Sequence, residues 1–473
     1  MQKILICICL IAFAVSGAAD DSDSLIDYID RQGDKYDALA MDLWDYAELG
    51  YLETKSSERL QKTLAAEGFE IQSGVANIPT AFVASYGEGE PVIAILAEFD
   101  ALPGISQAAI PTRQLVEGKK NGHACGHHLF GAGSVAAAVG VRHWMEQNDI
   151  AGTVRLYGTP AEEGGSGKVY LVRAGLFEDV DTVLHWHPSD RNSANAETTL
   201  ANRSARFKFT GIASHAAAAP ERGRSALDGV EAMNYMVNML REHIPQASRI
   251  HYVITQGGEA PNVVPDYAEV YYYVRHPDAA TLKTIWERVI NTANAAALGT
   301  GTQVAFEVMH GNHSVLPNER LARQMHANLT RIGGVQYNEQ ERNFAQILSE
   351  SFSVGNFVGM EKEVMKFEIR QGMGSTDVGD ISWVVPTVGL RTSTWVPGTA
   401  PHSWQAIAAG GTSIGTKGMR VAAKVLALTA RDLMLDAELR AAGRQEFESR
   451  RGENFEYKAL LGDREPPLDY RLL

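Results

Sequence analysis

Cysteine is scarce in this chain: three in 473 residues, at Cys7, Cys9 and Cys125. A disulfide framework is therefore excluded as the basis of the fold. Stability has to come from a hydrophobic core, which a 45% hydrophobic composition allows. Positive charge is also short, with 43 Lys and Arg against 57 Asp and Glu and a formal net charge of -14. That balance argues against a nucleic-acid binder, which needs a basic face. It does not exclude an anionic small molecule held by one local arginine. After the N-terminal residues there is no apolar run long enough to span a bilayer. Internal repeats and low-complexity tracts are lacking too.

What is present begins with "MQKILICICLIAFAVSGAAD". Lys3 supplies a short positive region, Ile4 to Val15 an apolar core, and the small residues near Ala18 and Ala19 a cleavage site. This pattern predicts a signal peptide over residues 1–19 and a periplasmic or secreted protein with no membrane attachment after cleavage. Cys7 and Cys9 leave with the signal, so Cys125 is the one cysteine of the mature chain. A lone thiol in an oxidising compartment persists best when buried or bound to a metal.

The remainder reads as alternating strands and helices. Ser24 to about Leu64 has apolar residues at helical spacing. "PVIAILAEFDALPG" is a strand ending near Asp100, "GAGSVAAAVGVRHWMEQ" a small-residue helix, "GTVRLYGTPAEEGG" a strand running into Glu162 and Glu163, and "DTVLHWHPSD" a short strand. This predicts an α/β fold with a sheet covered on both faces over residues 20–202. Ligands of such sheets bind beyond the carboxyl ends of the strands, where Asp100, Glu162, Glu163 and His187 fall. From 203 to 315 the strands alternate instead, in a strand-helix-strand-helix-strand order. That segment predicts an inserted α+β domain with one open sheet face. The α/β pattern returns over 316–440, with a long helix from about Thr412 to Arg440, and residues 441–473 read as a charged tail.

The chemistry concentrates in "GHACGHHLFGAG". Cys125 and His127 are two apart, so a bent loop can aim both at one ion, and zinc-like ions accept thiolate and imidazole together. On its own the loop reads equally as a polar loop around a buried thiol. Glu162 and Glu163 are adjacent carboxylates that point in different directions, so one can bind metal while the other serves as general base. His185 and His187 share a strand face, and His402 sits in a Pro-flanked loop. Singly, each histidine reads as a core or loop residue. Together, Cys125, His127, Glu163, His187 and His402 form a ligand set for two ions with a bridging group.

In order, "HACGHH", "GTPAEEGGSGK", "LHWHP", "GIASHAAAAPERGRSALDGVEAMN", "GGEAPNVVPDYAEV" and "PHSWQ" resemble the aminoacylase/glutamate-carboxypeptidase family of dinuclear metallohydrolases. They look most like the branch that holds indoleacetyl-amino-acid and p-aminobenzoyl-glutamate hydrolases. The resemblance covers Ser24 to Asp436. It implies a three-layer α/β/α metallopeptidase domain with an inserted lid and dimerisation domain. It also implies two divalent ions per subunit, zinc or manganese, and a homodimer or an assembly with a second kind of subunit. The implied reaction is amide hydrolysis of N-acyl or N-aroyl amino acids by a hydroxide bridging the two ions. The leading substrate is p-aminobenzoyl-glutamate or a close relative. A dipeptidase or general aminoacylase is the alternative within the family, and a silent relative that only binds amino-acid conjugates is the alternative outside enzymes.

Residue by residue, Cys125 matches the bridging ligand, and His127, Glu163, His187 and His402 the other ligands. The family's His-Pro context favours His187 over His185. Glu162 matches the general base, and Asp100 the carboxylate that orients a ligand or the base. His215 matches a lid histidine that polarises the scissile carbonyl, often from a partner subunit. Asn262 and Arg275 match lid residues that hold the substrate carboxylate, a task suited to the two-pronged guanidinium. His128 departs from the family, which often has Asp or Asn there, and leaves open an extra ligand or a hydrogen-bond partner.

Overall fold

The computed structural model describes residues 21–472, and the expected signal segment lies outside the described residues. In chain order the strands are β1 (Glu70–Ser73), β2 (Phe82–Glu88), β3 (Val92–Ala97), β4 (Gly152–Gly158), β5 (Thr182–Ser189), β6 (Ala196–Thr198), β7 (Ala201–Thr210), β8 (Arg249–Gln256), β9 (Tyr267–His276), β10 (Gln303–Asn312), β11 (Ile369–Gln371) and β12 (Thr387–Ser393). They form a six-stranded sheet in the order β1-β2-β4-β3-β5-β12, a four-stranded sheet in the order β10-β7-β9-β8, and the pair β11-β6.

In the large sheet β4, β3, β5 and β12 run parallel, and β2 runs against its neighbours. All six residues of β3, VIAILA, are buried, as a strand covered on both faces demands. The His127–Asn148 helix packs on β3, β4 and β5 through its run of small residues, with Ser413–Leu435 alongside it. Trp186 in β5 fixes this contact: its fully buried ring lies 5.7 Å from that of Phe130, and its indole N–H donates to the Phe130 carbonyl at 3.1 Å. Burying such a side chain contributes about 1.5–3 kcal/mol. Strand alternation then sends His185 and His187 to the opposite side.

The four-stranded sheet is antiparallel throughout, and two helices, Ala226–Leu240 and Ala279–Thr300, cover one face. Phe207, Phe209, Val270 and Tyr272 meet Val230, Met233, Trp286 and Val289 in a second core of its own. The other face carries Tyr271, Tyr273 and Arg275, the set expected from alternation in β9. One strand of this sheet, β8, was not expected. It lies at the sheet edge, and Ile250 is its one buried residue, so no alternation marks it in the sequence.

The long helix expected to reach Arg440 is two helices, Ser413–Leu435 and Ala437–Arg451. Asp436 separates them, with extended backbone and a carboxylate that accepts from the Leu439 amide at 2.9 Å as an N-cap. The charged tail is not a free tail. After Arg451 it runs back over the molecule, and Leu460 joins the core of the four-stranded domain while Leu461 joins that of the large sheet. Among the described residues no helix is long and apolar enough to cross a membrane.

Candidate metal centre

The strands β3, β4 and β5 are parallel neighbours, so their carboxyl ends share one edge. Glu98 and Asp100 follow β3, Glu162 and Glu163 follow β4, and His187 lies near the end of β5. His127 opens its helix directly after Gly126. At Gly126 φ is 81°, and a Cβ would meet the Pro188 Cβ at 2.6 Å, so only glycine permits this approach of the loop to β5.

The geometry brings the expected ligands together in two groups. Cys125, His127 and His187 form one; Cys125, Glu163 and His402 form the other, and within each the ligand atoms lie within 4.8 Å of one another. Cys125 belongs to both. Its Sγ is 3.5 Å from His187 Nε2, and the His187 Nδ1 is spoken for by the Pro188 carbonyl at 2.7 Å. His127 Nδ1 donates to Asp100 Oδ1 at 2.9 Å, which turns Nε2 toward the cluster. His402 Nε2 lies 3.1 Å from Glu163 Oε1. Asp100 thus orients a ligand, and its other oxygen accepts from the Glu163 amide at 2.9 Å. A third group joins Glu98, His127 and Glu162, which puts the expected base beside the ligands.

Several observations fit these residues to divalent cations. Glu98 Oε2, His127 Nε2 and Glu163 Oε1 are buried without a hydrogen-bond partner. The first two are 3.1 Å apart yet lack hydrogen-bond geometry. Glu53, Glu98, Asp100 and Asp377 are buried carboxylates, and Lys168 is the one buried lysine among the described residues. Burial pushes Glu53 and Glu162 well above the usual carboxylate range, with Asp100 adding to the effect at Glu53 and Glu98 and Glu163 at Glu162. Cations relieve that excess of negative charge. Burial opposes a charge on His127, but Cys125, Glu98 and Asp100 outweigh it and push the imidazole up. Cys125 and then Glu163 push His402 up to about 10. A metal takes the place of the proton that such an anionic cage attracts.

The structure separates the ambiguous histidines. His187 faces Cys125, whereas His185 lies across Gly389, where any Cβ would meet its ring at 2.3 Å. His128 stands in none of the three groups: its Nε2 donates to the Gly410 carbonyl at 3.0 Å, and burial followed by His123 holds it neutral. His123 bonds the Leu43 carbonyl at 3.0 Å and packs 4.9 Å from the His128 ring.

Four supporting residues were missed in the sequence. Lys168 Nζ lies 2.7 Å from Glu98 and 2.6 Å from Asp377, all three fully buried. Glu53 accepts from the Ala161 amide at 2.8 Å and from Thr80 at 3.0 Å. Glu98 alone left a signal, as a carboxylate closing a wholly apolar strand.

The expected lid residues divide. Arg275 stands at the end of β9 near the site: it donates to Ser375 Oγ at 3.3 Å, lies over the Tyr273 ring at 5.4 Å, and its Nε is buried and unpaired. On β10, one strand removed in the same sheet, His310 bonds Ser166 at 2.5 Å. His215 and Asn262 lie together at the other end, joined by the bond from the Ala216 amide to the Asn262 carbonyl at 3.0 Å. The run of β9 from Tyr267 to Arg275 separates the two ends by about 27 Å. One chain therefore does not bring His215 and Asn262 to its own cluster. The His215 Nδ1 accepts from the Ala217 and Ala218 amides at 3.2 and 3.1 Å, which leaves Nε2 as a donor.

The M20 peptidase dimerisation domain matches residues 201–300. The chain is 40% identical over 452 residues to a p-aminobenzoyl-glutamate hydrolase subunit of Escherichia coli strain K12, covering 89% of this chain and 94% of that protein. The chain belongs to the M20 peptidase family. It is a metal-dependent hydrolase of amide bonds in that family. Mouse (Mus musculus) Xaa-Arg dipeptidase is 32% identical over 433 residues, covering 89% of this chain and 90% of the dipeptidase. The Bacillus subtilis YXEP protein, a dinuclear metal-binding peptidase of the M20 family, superposes with a TM-score of 0.55 at 19% identity, over 86% of this chain and 99% of its own. At that identity the likeness is one of fold. In this chain Cys125 is the residue common to two of the groups that could hold an ion.

Proposed function

We propose that this protein is an exported two-metal amidohydrolase that cleaves N-acyl or N-aroyl amino acids, with p-aminobenzoyl-glutamate or a close relative as substrate. The observation that carries this reading is Cys125 shared between two ligand groups, with Glu162 beside them. Cys125, His127, Glu163, His187 and His402 would hold zinc or manganese, which when bound would supply Lewis-acid polarisation of the amide carbonyl and a lowered pKa for water. Glu162 takes a proton from the attacking water and delivers it to the leaving amine. Arg275, its Nε unpaired at the mouth of the site, receives the substrate carboxylate. A mostly apolar groove of about 460 Å³, lined by Val354, Phe357, Met360 and Ala400 together with the charged Asp190 and Arg191, includes a residue two positions before His402 in the chain and suits an aromatic acyl group. The name of the 40% identical relative supports the aroyl-glutamate choice.

A panel of N-acyl amino acids, N-aroyl amino acids and dipeptides, assayed on metal-analysed protein, tests the reading. Hydrolysis is expected, fastest for an aroyl-glutamate and lost on chelation. Failure on every amide with a free carboxylate overturns it, and a preference for dipeptides moves the chain to its dipeptidase relatives.

The placement of His215 and Asn262, remote from their own cluster, supports a homodimer in which each lid completes the partner's site. His215 Nε2 then donates to the developing oxyanion, and Asn262 joins Arg275 at the carboxylate. A mixing experiment reads this directly. Glu162→Gln and His215→Ala are each expected to be inactive. When the two are unfolded, mixed and refolded together, half of the dimers are mixed and hold one intact site, so activity returns to about a quarter of wild type. No recovery in verified mixed dimers would place His215 outside the partner's site.

A further inference from the structure

The loop that carries Glu162 and Glu163 is held against its own backbone preference. Ala161, Gly164 and Ser166 all have positive φ, at 57°, 88° and 59°. Left-handed geometry at non-glycine residues is strained and persists only where surroundings impose it. Those surroundings can be named. Glu53 accepts from the Ala161 amide, Asp100 from the Glu163 amide, and Tyr51 donates to the Gly165 carbonyl at 2.7 Å. The Glu163 carbonyl is the remaining backbone polar group of the residue. Nothing in the loop or the large sheet holds it. Tyr470 donates to it at 3.0 Å, and the Arg471 guanidinium donates to the same oxygen.

We propose that Tyr470 and Arg471 are positioning residues of the hydrolytic site, converging on the Glu163 carbonyl to aim the Glu162–Glu163 pair. With the amide on Asp100 and the carbonyl on Tyr470 and Arg471, both backbone polar groups of Glu163 are fixed by side chains. The direction of its Cα–Cβ bond follows from that. Without the two donors the Glu163–Gly164 peptide is free to rotate, because glycine on its far side accepts either orientation. The C-terminal segment after Arg451, a strap over the molecule, reaches this position by its own anchors. Tyr457 donates to Asp380 at 2.7 Å, Leu460 and Leu461 enter the two cores, and Arg464 binds the Val308 carbonyl of β10 and lies 3.3 Å from Glu307. Arg173 donates to the Arg464 carbonyl at 2.6 Å. Tyr470 then packs edge-on to Tyr51 at 5.6 Å, and the Arg471 guanidinium lies 4.7 Å from the Tyr470 ring centre. The strap thus crosses from the lid domain to the base-bearing loop, so lid position and loop geometry share a support.

This inference rests on the metallohydrolase reading above, and the test separates the two. Tyr470→Phe, Arg471→Ala, Arg471→Lys and the double variant Tyr470→Phe/Arg471→Ala are compared with wild type. Three quantities are measured: kcat and KM on the best amide of the panel, the affinity and absorption spectrum with cobalt(II) alone, and the melting temperature. The double variant is expected to lose roughly 10–100-fold in kcat, as removal of a ligand's supporting partner does, with KM nearly unchanged. Cobalt affinity falls with it and the visible bands shift, while Arg471→Lys keeps part of both. Wild-type kcat together with a wild-type cobalt spectrum overturns the proposal. So does a loss of activity that only follows a loss of folded protein, with an unchanged spectrum in the folded fraction. If wild type hydrolyses no amide, the functional reading fails and the cobalt measurements alone decide the positioning role.

Discussion

Glu162→Gln is expected to bind its metals normally and to lose about 10²–10⁴-fold in turnover, the usual contribution of a positioned general base. The substitution keeps size and hydrogen-bonding capacity and removes only the ability to take up a proton. Glu162 is absent from the two groups joined by Cys125, so those ligands stay in place. Burial first, then Glu98 and Glu163, push the Glu162 carboxyl well above the ordinary range, while Lys168 pulls it back. Steady-state hydrolysis combined with elemental analysis checks the expectation. Undiminished turnover at full metal content would remove Glu162 from the mechanism. Loss of metal in the same proportion would make it a ligand instead.

The largest effect on stability is expected at Lys168. It lies between Glu98 and Asp377, and all three side chains are inaccessible to solvent. Lys168→Met keeps much of the volume but leaves two carboxylates facing each other without their cation. Breaking a buried ion pair from one side typically costs about 3–5 kcal/mol. Burial opposes the charge on Lys168, but Asp377 and then Glu98 outweigh it and push its pKa up. The pH dependence has a definite sign. Burial raises Glu98 and Asp377 above their unfolded values even with Lys168 present. Without it they bind protons still more readily in the folded state than in the unfolded one. Stability of the variant therefore falls as pH rises through that range. Denaturant melts of the metal-free proteins should show a larger deficit at neutral pH than near the unfolded carboxylate pKa. An equal deficit at both would mean that charge is not the cause. Lys168→Met/Asp377→Asn removes one of the stranded carboxylates and should recover part of the loss.

These two residues mark the divide between what was legible and what was not. Glu162 was legible because it belongs to a short motif past a strand end, where chemistry concentrates in α/β sheets. The same holds for Cys125, His127, Glu163, His187 and His402. Lys168 meets Asp377 across 209 residues of chain, and no local pattern announces that pairing. The strand β8 escaped for a different reason: at an edge with one buried residue, period-two alternation has nothing to act on. The long helix was misjudged because helical periodicity persists on both sides of Asp436, and the cap that breaks it is a single side-chain bond.

By itself, the sequence determined the α/β class with an inserted α+β domain, the loops that carry the candidate ligands, and the carboxylate proposed as base. Each of these is a local property, set by periodicity and by residue types a few positions apart. Tertiary structure alone decided the rest. It showed that Cys125 stands in both ligand groups, that His187 rather than His185 faces it, and that His128 turns away to Gly410. It placed His215 and Asn262 far from Arg275, and it brought Tyr470 and Arg471 onto the Glu163 carbonyl across more than 300 residues. These are facts about where distant segments meet. Packing of the two cores sets them, and no single stretch of chain encodes them.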